Sequence, residues 1–163
     1  MTTPFEAYLN LLREVGRLLE QLAALSQQKA AAVRQDDLLA LDEVLKQEQA
    51  LSLNVRGLEL KRMKLVPQLG LEGTSLAELP SKCPAGLELE TRETVRQVQN
   101  SYKIYRSGAD LARSTLELNL HQIEKLVIAA GGDPKDMDTS VSADYTTPPG
   151  AEPPRNMKTD FRA

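Results

Sequence analysis

Apolar residues recur every three or four positions through three long stretches of the chain, the period of one buried face on an α-helix. The first stretch reads Phe5, Tyr8, Leu12, Val15, Leu19, Leu22, Ser26, Lys29 and Val33, with Leu11, Leu18 and Leu25 beside it. That face is wider than a two-stranded coiled-coil seam and suits a bundle helix. Thr3-Pro4-Phe5-Glu6 supplies its start: Thr3 caps, Pro4 suits the first helical position and Glu6 completes a capping box. Gln35-Asp36-Asp37 interrupts the pattern, and either aspartate can cap a second helix. The second stripe runs Leu41, Val44, Glu48, Leu51, Val55, Leu58, Arg62, Leu65 and Leu69, and Pro67 and Gly70 end it. These two helices, about 4–34 and 37–68, are each roughly 45 Å long. Their short connection makes them antiparallel neighbours.

Residues 69–83 are a connector rich in Gly, Pro and Ser. Within it Ser75-Leu-Ala-Glu78 matches a capping box and is expected to start one short helical turn. Pro84 suits the first turn of a third helix, about 84–130, whose stripe is Val95, Val98, Tyr102, Tyr105, Ala109, Ala112, Leu116, Asn119, Ile123, Leu126 and Ala130. The stripe passes through Ser107-Gly108, a candidate soft point inside one long helix. Gly131-Gly132-Asp133-Pro134 stops it. The expected fold is all-α: an elongated antiparallel three-helix bundle over residues 1–131 with one long C-terminal helix. A flexible tail follows over 132–163, with five of the chain's nine prolines and no apolar periodicity. Tyr145 and Phe161 stand there as isolated aromatics, suited to a short docking motif or to nothing more than a solubilising tail.

Composition narrows the function. Aromatics are 4% of the chain and Trp is absent, so the core must be built from Leu and Ala, which favour helices. The net charge is -3 with both signs interspersed. No basic stripe exists to neutralise phosphates, which argues against nucleic acid as a partner. The N-terminus lacks the pattern of a signal peptide, and no apolar run approaches the roughly 20 residues of a membrane span. No stable membrane insertion is expected. Cys83 is the only cysteine, so no disulfide forms within the chain. These features suit the cytoplasm.

Catalytic chemistry finds no footing. The sequence holds no Gly-rich phosphate loop, no H-E-x-x-H and no paired Cys motif. With a single histidine, the Glu-x-x-His pairs of a di-iron bundle cannot be built. Glu117, His121 and Glu124 share one helical face at ligand-like spacing, but that face lies opposite the buried stripe and reads as solvated surface. Cys83, between Lys82 and Pro84, has no partner base in view and reads as a loop cysteine. The expectation is no enzyme, no metal and no cofactor. Lys29, Glu48 and Arg62 fall on the seams, where an unpaired charge is costly. Either their heads escape to water at the stripe's edge or they pair and fix helix register, with Asp42 placed to face Lys29.

The helix lengths leave a surface over. A third helix of roughly 70 Å outruns the other two by about 25 Å. If it starts beside the end of the second helix, residue 116 draws level with the hairpin tip near Asp36. Leu116, Asn119, Ile123, Leu126 and Ala130 then lack intramolecular cover. An uncovered apolar stripe implies a partner, most naturally an amphipathic helix laid alongside. A homo-oligomeric coiled-coil scaffold, burying the stripe against another copy, is the alternative.

Lys29, the Asp36/Asp37 break, Leu41, Glu48, the Glu59-x-x-Arg62 pair and Leu116-Glu-Leu-Asn119 together resemble the FlgN-type flagellar export chaperones. That family tends to carry N-x-x-N text in its late helix, where this chain has Gln122 at the second position. The tail is similar too, with Tyr145 followed by Gly150 and the end Phe161-Arg162-Ala163. The resemblance spans about residues 5–163. It implies a cytoplasmic chaperone without ATPase activity that binds the C-terminal segments of hook-associated proteins, prevents their premature assembly and passes them to the flagellar export gate. Family client binding maps to the C-terminal part. The implied client-binding residues are Leu116, Asn119, Ile123, Leu126 and Val127, and Tyr145 is the implied export-gate contact.

Overall fold

The computed structural model describes residues 2–133, and every element among them is helical. Helix α1 spans Pro4–Arg34 and α2 spans Leu38–Gln68. A 3₁₀ turn at Leu76–Glu78 leads into the single-turn α3, Leu79–Lys82, and α4 spans Glu88–Ala129. The tail, with Tyr145 and Phe161, lies outside the described residues.

The helix ends follow the cap chemistry. The Thr3 hydroxyl accepts from the Glu6 N–H, and the Thr3 N–H donates to the Glu6 carboxylate at 2.7 Å. That contact is also what holds the Glu6 carboxyl below its ordinary pKa. At the α1–α2 corner the Asp37 N–H reaches back to the Ala32 carbonyl at 2.9 Å. Asp36 takes φ 53, a left-handed conformation that a short polar side chain tolerates. Asp37 then caps α2 through the Ala40 N–H at 3.0 Å. Gly70, at φ 69, closes the other end of α2, with the Leu71 N–H on the Val66 carbonyl.

Helix α1 is the spine and packs along both α2 and α4, whereas α2 and α4 approach each other closely at few points. It runs antiparallel to α2, with Lys29 opposite Glu48 and Val33 clustered with Leu41. It runs parallel to α4: Arg13 meets Glu90, Glu20 meets Ser101, and Ala23 lies against Gly108. Four of its seven heptad columns are buried, those beginning at Tyr8, Leu9, Leu11 and Leu12. The sequence stripe captured three of them. The missing column is Leu9, Gly16, Ala23 and Ala30, mostly too small to register as an apolar stripe.

Those small residues set the distance between α1 and α4. A Cβ on Gly16 would stand 3.5 Å from Val98 and Ser101, and one on Gly108 would stand 3.3 Å from the Ala23 carbonyl oxygen. Ser107-Gly108 is therefore not a soft point. Helix α4 is continuous there, and Gly108 is where the two helices come closest to excluding any side chain.

The connector also differs from its reading. Leu71, Leu76 and Leu79 are buried in the main core and plug the end of the bundle where α1 starts and α2 ends. Pro84 does not open the last helix. It starts a turn through Gly86, at φ 89, and α4 begins at Glu88.

Two ion pairs are sealed into the α1–α2 seam. Lys29 Nζ donates to both carboxylate oxygens of Glu48 at 2.9 Å. The expected partner, Asp42, instead pairs with Lys46 on the surface, because it lies about 1.7 turns before Glu48, the residue that faces Lys29, and about 120° round the helix from it. Arg62 binds the Glu59 carboxylate through Nε and Nη2, and all four charged side chains are within a few per cent of full burial. Their heads do not escape to water. Burial disfavours the charged form of Arg62, yet its hydrogen bond to Glu59, the Glu59 charge and Tyr8 outweigh it and raise the pKa above the usual arginine value.

The Lys29–Glu48 pair divides the interior. The main apolar core ends on α1 at Ala23 and on α4 at Tyr105. A small satellite of Ala32, Val33, Leu41 and Leu116 lies on the far side. Replacing Glu48 with Ala leaves a buried ammonium unpaired and is expected to cost about 3–5 kcal/mol in urea denaturation, whereas the double change Lys29→Met, Glu48→Leu recovers most of that loss. Two glycines separate the packing effect from helix propensity. Gly57→Ala, with nothing within 4 Å of its Cβ, should stabilise by about 1 kcal/mol and raise the melting temperature by about 2–4 °C. Gly108→Leu should lower the melting temperature by forcing α4 off Ala23.

Candidate functional site

Helix α4 has 42 residues and α1 and α2 have 31 each. At 1.5 Å per residue the excess is about 17 Å. None of it extends past the plugged end, where α4 is buried from Thr91 onward. The excess therefore projects beyond the α1–α2 corner, and the last buried residue of α4 is Leu116.

Leu116 is 6% exposed and packs with Ala32, Val33 and Leu41. Residue 116 does draw level with the hairpin tip, but the tip covers it. The expectation of an uncovered Leu116 is corrected: it is the floor at which the free surface begins. From there Asn119 and Val127 are half-buried, Ile123 is 41% exposed and Leu126 is 69% exposed.

The angular positions of these residues refine the face. With 100° per residue, Ile123 and Val127 fall within about 20° of Leu116, and Leu120 about 40° to one side. Asn119 and Leu126 lie about 60° and 80° to the other side. A strict seven-residue count drifts by about 20° per heptad relative to a straight helix, so it weights Leu126 over Val127. The face that continues the buried seam is Leu120, Ile123 and Val127, flanked by Asn119 and Leu126. Leu120, half-buried, was missed because it sits beside Asn119 and outside the heptad count.

A second part of the surface was also missed. Leu38 and Leu39, the first residues of α2, are 73% and 86% exposed. They stand at the corner that ends beside Leu116. Their signal is an adjacent Leu-Leu pair directly after a capping aspartate, outside the α2 stripe. Such a pair at the solvated end of a helix has no intramolecular reason to be apolar.

The polar residues here do not build a reactive centre. Glu117, His121 and Glu124 are all exposed, and among the described residues no group of three His, Cys, Asp or Glu is placed to hold a metal ion. Cys83 is half-buried, with its thiol on the Pro80 carbonyl at the opposite end of the bundle. Among the described residues no helix is long and apolar enough to cross a membrane. The arrangement offers an apolar helix face with a leucine-bearing ledge at its base, and Leu118 and Ile128 are exposed away from that face.

The boundary at Leu116 is measurable. Leu116→Ala should cost about 2–4 kcal/mol in chemical denaturation, because it empties a buried position. Ile123→Ala, one turn into the projection, should cost under about 1 kcal/mol.

The family model described as FlgN protein matches residues 1–139. Comparison with curated proteins and with solved structures gives no match. A match over 139 of the 163 residues covers the core, the corner and the whole projecting face, and by it the chain belongs to the FlgN family of flagellar export chaperones.

Proposed function

We propose that this chain binds the C-terminal amphipathic segments of flagellar hook-associated proteins along the projecting part of α4, prevents their premature assembly and delivers them to the export gate. The observation that carries this reading is an apolar face that continues a buried seam for about three turns after its intramolecular cover stops at Leu116. An amphipathic helix laid against Leu120, Ile123, Leu126 and Val127 would extend the bundle by the packing that already joins α4 to α1. Leu38 and Leu39 would contact its end. Leu116 supports the floor of this groove from inside.

Asn119 serves selectivity in this proposal. A polar side chain at an otherwise apolar position weakens association overall and penalises partners that cannot hydrogen-bond it. Tyr145 is proposed as the export-gate contact, apart from the client face. Binding and release need only this surface, so the proposed role involves no catalysis and no cofactor, and its setting is the cytoplasm. The other reading is a scaffold whose α4 projections pair between copies.

Isothermal titration with C-terminal segments of hook-associated proteins tests the proposal, beside sedimentation of the chain alone. A monomer that binds such a segment supports it, and a tight dimer that ignores every segment supports the scaffold. Ile123→Asp should weaken segment binding at least tenfold without changing the melting temperature. Asn119→Leu should tighten binding to unrelated amphipathic helices more than to the true client. Tyr145→Ala should leave client binding unchanged and weaken binding to the export gate, and a loss of client binding would reject that division of roles.

A further inference from the structure

Helix α2 packs through one side, and its outer side is not composed like a solvated face. Leu53 and Leu60 lie about 20° apart round the helix, with Gly57 about 40° and Ala50 about 60° to one side of Leu53. Val55 and Arg62, in the buried seam, lie about 160° and 180° away. Leu53 and Leu60 are each more than half exposed, and Ala50 and Gly57 are exposed beside them. Nothing inside the chain requires the glycine. Its backbone is helical, and a Cβ on it would meet nothing within 4 Å, so Gly57 weakens the helix without relieving any contact.

Charge sets this side of α2 apart as well. Between Gln49 and Leu71 the only acidic residue is Glu59, and it is buried in its pair with Arg62. Arg56, Lys61 and Lys64 are exposed, and none of them is in an ion pair among the described residues. The outer side of α2 is thus positive on a chain whose net charge is -3. The cations border the apolar stripe. Arg56 lies about 60° from Leu53 on one side, Lys61 about 80° on the other, and Lys64 continues the line of the stripe one turn past Leu60.

We propose that the outer side of α2, from Ala50 to Lys64, docks an amphipathic helix of a partner protein whose apolar stripe is bordered by Asp and Glu, the two helices crossing at Gly57. Charge complementarity sets the sign of the partner's borders. Gly57 sets its shape, because a missing side chain lets another helix backbone come close, as Gly108 does where α4 meets α1. An anionic membrane offers the same charge, but a lipid surface gains from a large apolar side chain at the centre of the stripe and finds none at Gly57. A second copy docked face to face would set these cations against their like and bring no acid to them. The stripe is about 21 Å long, some four helical turns, which is the scale of a transient contact. It begins about 18 Å along α2 from Leu38 at the corner where α4 projects, so it is a separate contact and does not rest on the client-binding role proposed above.

The test is fluorescence anisotropy of a labelled synthetic helix titrated with the full-length chain. The probe carries Leu along its apolar stripe, Ala at the centre of that stripe and Glu on both borders, and a second probe has Lys in place of Glu. The Glu probe is expected to bind about tenfold more tightly than the Lys probe, with affinity falling as salt rises. Arg56→Glu/Lys64→Glu and Gly57→Leu should each weaken it by about tenfold. All three positions are exposed, and the melting temperature of Gly57→Leu should not fall, because leucine is the better helix former. Ile123→Asp should leave binding of the Glu probe unchanged. Equal binding of the two probes, or no binding of the Glu probe, overturns the proposal. Loss of binding in Ile123→Asp with Gly57→Leu unaffected places the probe on α4 and also overturns it. Vesicles of phosphatidylcholine with phosphatidylglycerol, and sedimentation of the chain alone, test the other occupants. Vesicle binding that Gly57→Leu strengthens assigns the face to lipid, and a dimer that Arg56→Glu/Lys64→Glu disperses assigns it to a second copy. Either result overturns the proposal.

Discussion

Helix α1 is buried along four of its seven heptad columns, and the positions of the other elements follow from that. A helix with so wide an apolar face cannot be satisfied by one neighbour. It takes α2 on one side through large side chains and the two buried ion pairs. It takes α4 on the other through Gly16, Ala23 and Gly108, where backbones come close and large side chains have no room. The short corner at Gln35–Asp37 makes α2 antiparallel, and the plug of Leu71, Leu76 and Leu79 returns the chain to the start of α1 before α4 begins. Helix α4 must then run parallel to α1 from the closed end. With more residues than α1, it can only overrun at the open end.

The function proposed for this chain is thus a consequence of unequal lengths. The apolar seam of α4 does not change character at Leu116; its cover stops. The base of the projection is held by the satellite of Ala32, Val33, Leu41 and Leu116, which the Lys29–Glu48 pair separates from the main core. A small cluster beyond a polar layer opens locally at lower cost than the core does. The end proposed for binding is therefore the adaptable end, while the register of α1 on α2 is fixed by charges that cannot slide without being buried unpaired.

Much of this was legible in the residues. Thr3, Glu6, Asp37 and Gly70 cap or close helices as their types require, and the large apolar side chains of α1, α2 and α4 mark the buried faces at helical spacing. The candidate face was legible as a stripe that outlasts its neighbours. Four features were not. The column of Gly16, Ala23 and Ala30 is apolar by contact and not by hydrophobicity. Glu59, one residue off the α2 stripe, is buried in its ion pair with Arg62, which Tyr8 also contacts. Asp42 and Glu48 are equally plausible partners for Lys29 until the helices' register is known. The leucines of the connector look like linker text until the end of the bundle needs a plug.

The sequence by itself determined which long segments are helical, where the first two start and stop and where the last one stops, and that one of them is longer than the others, because caps, breakers and side-chain periodicity act over a few residues. Only the tertiary structure decided which end of α4 projects and where its cover stops. Those depend on the rotation and register of one helix against another. They are set by contacts such as Gly108 on Ala23 and Lys29 on Glu48, between groups that no local pattern pairs in advance.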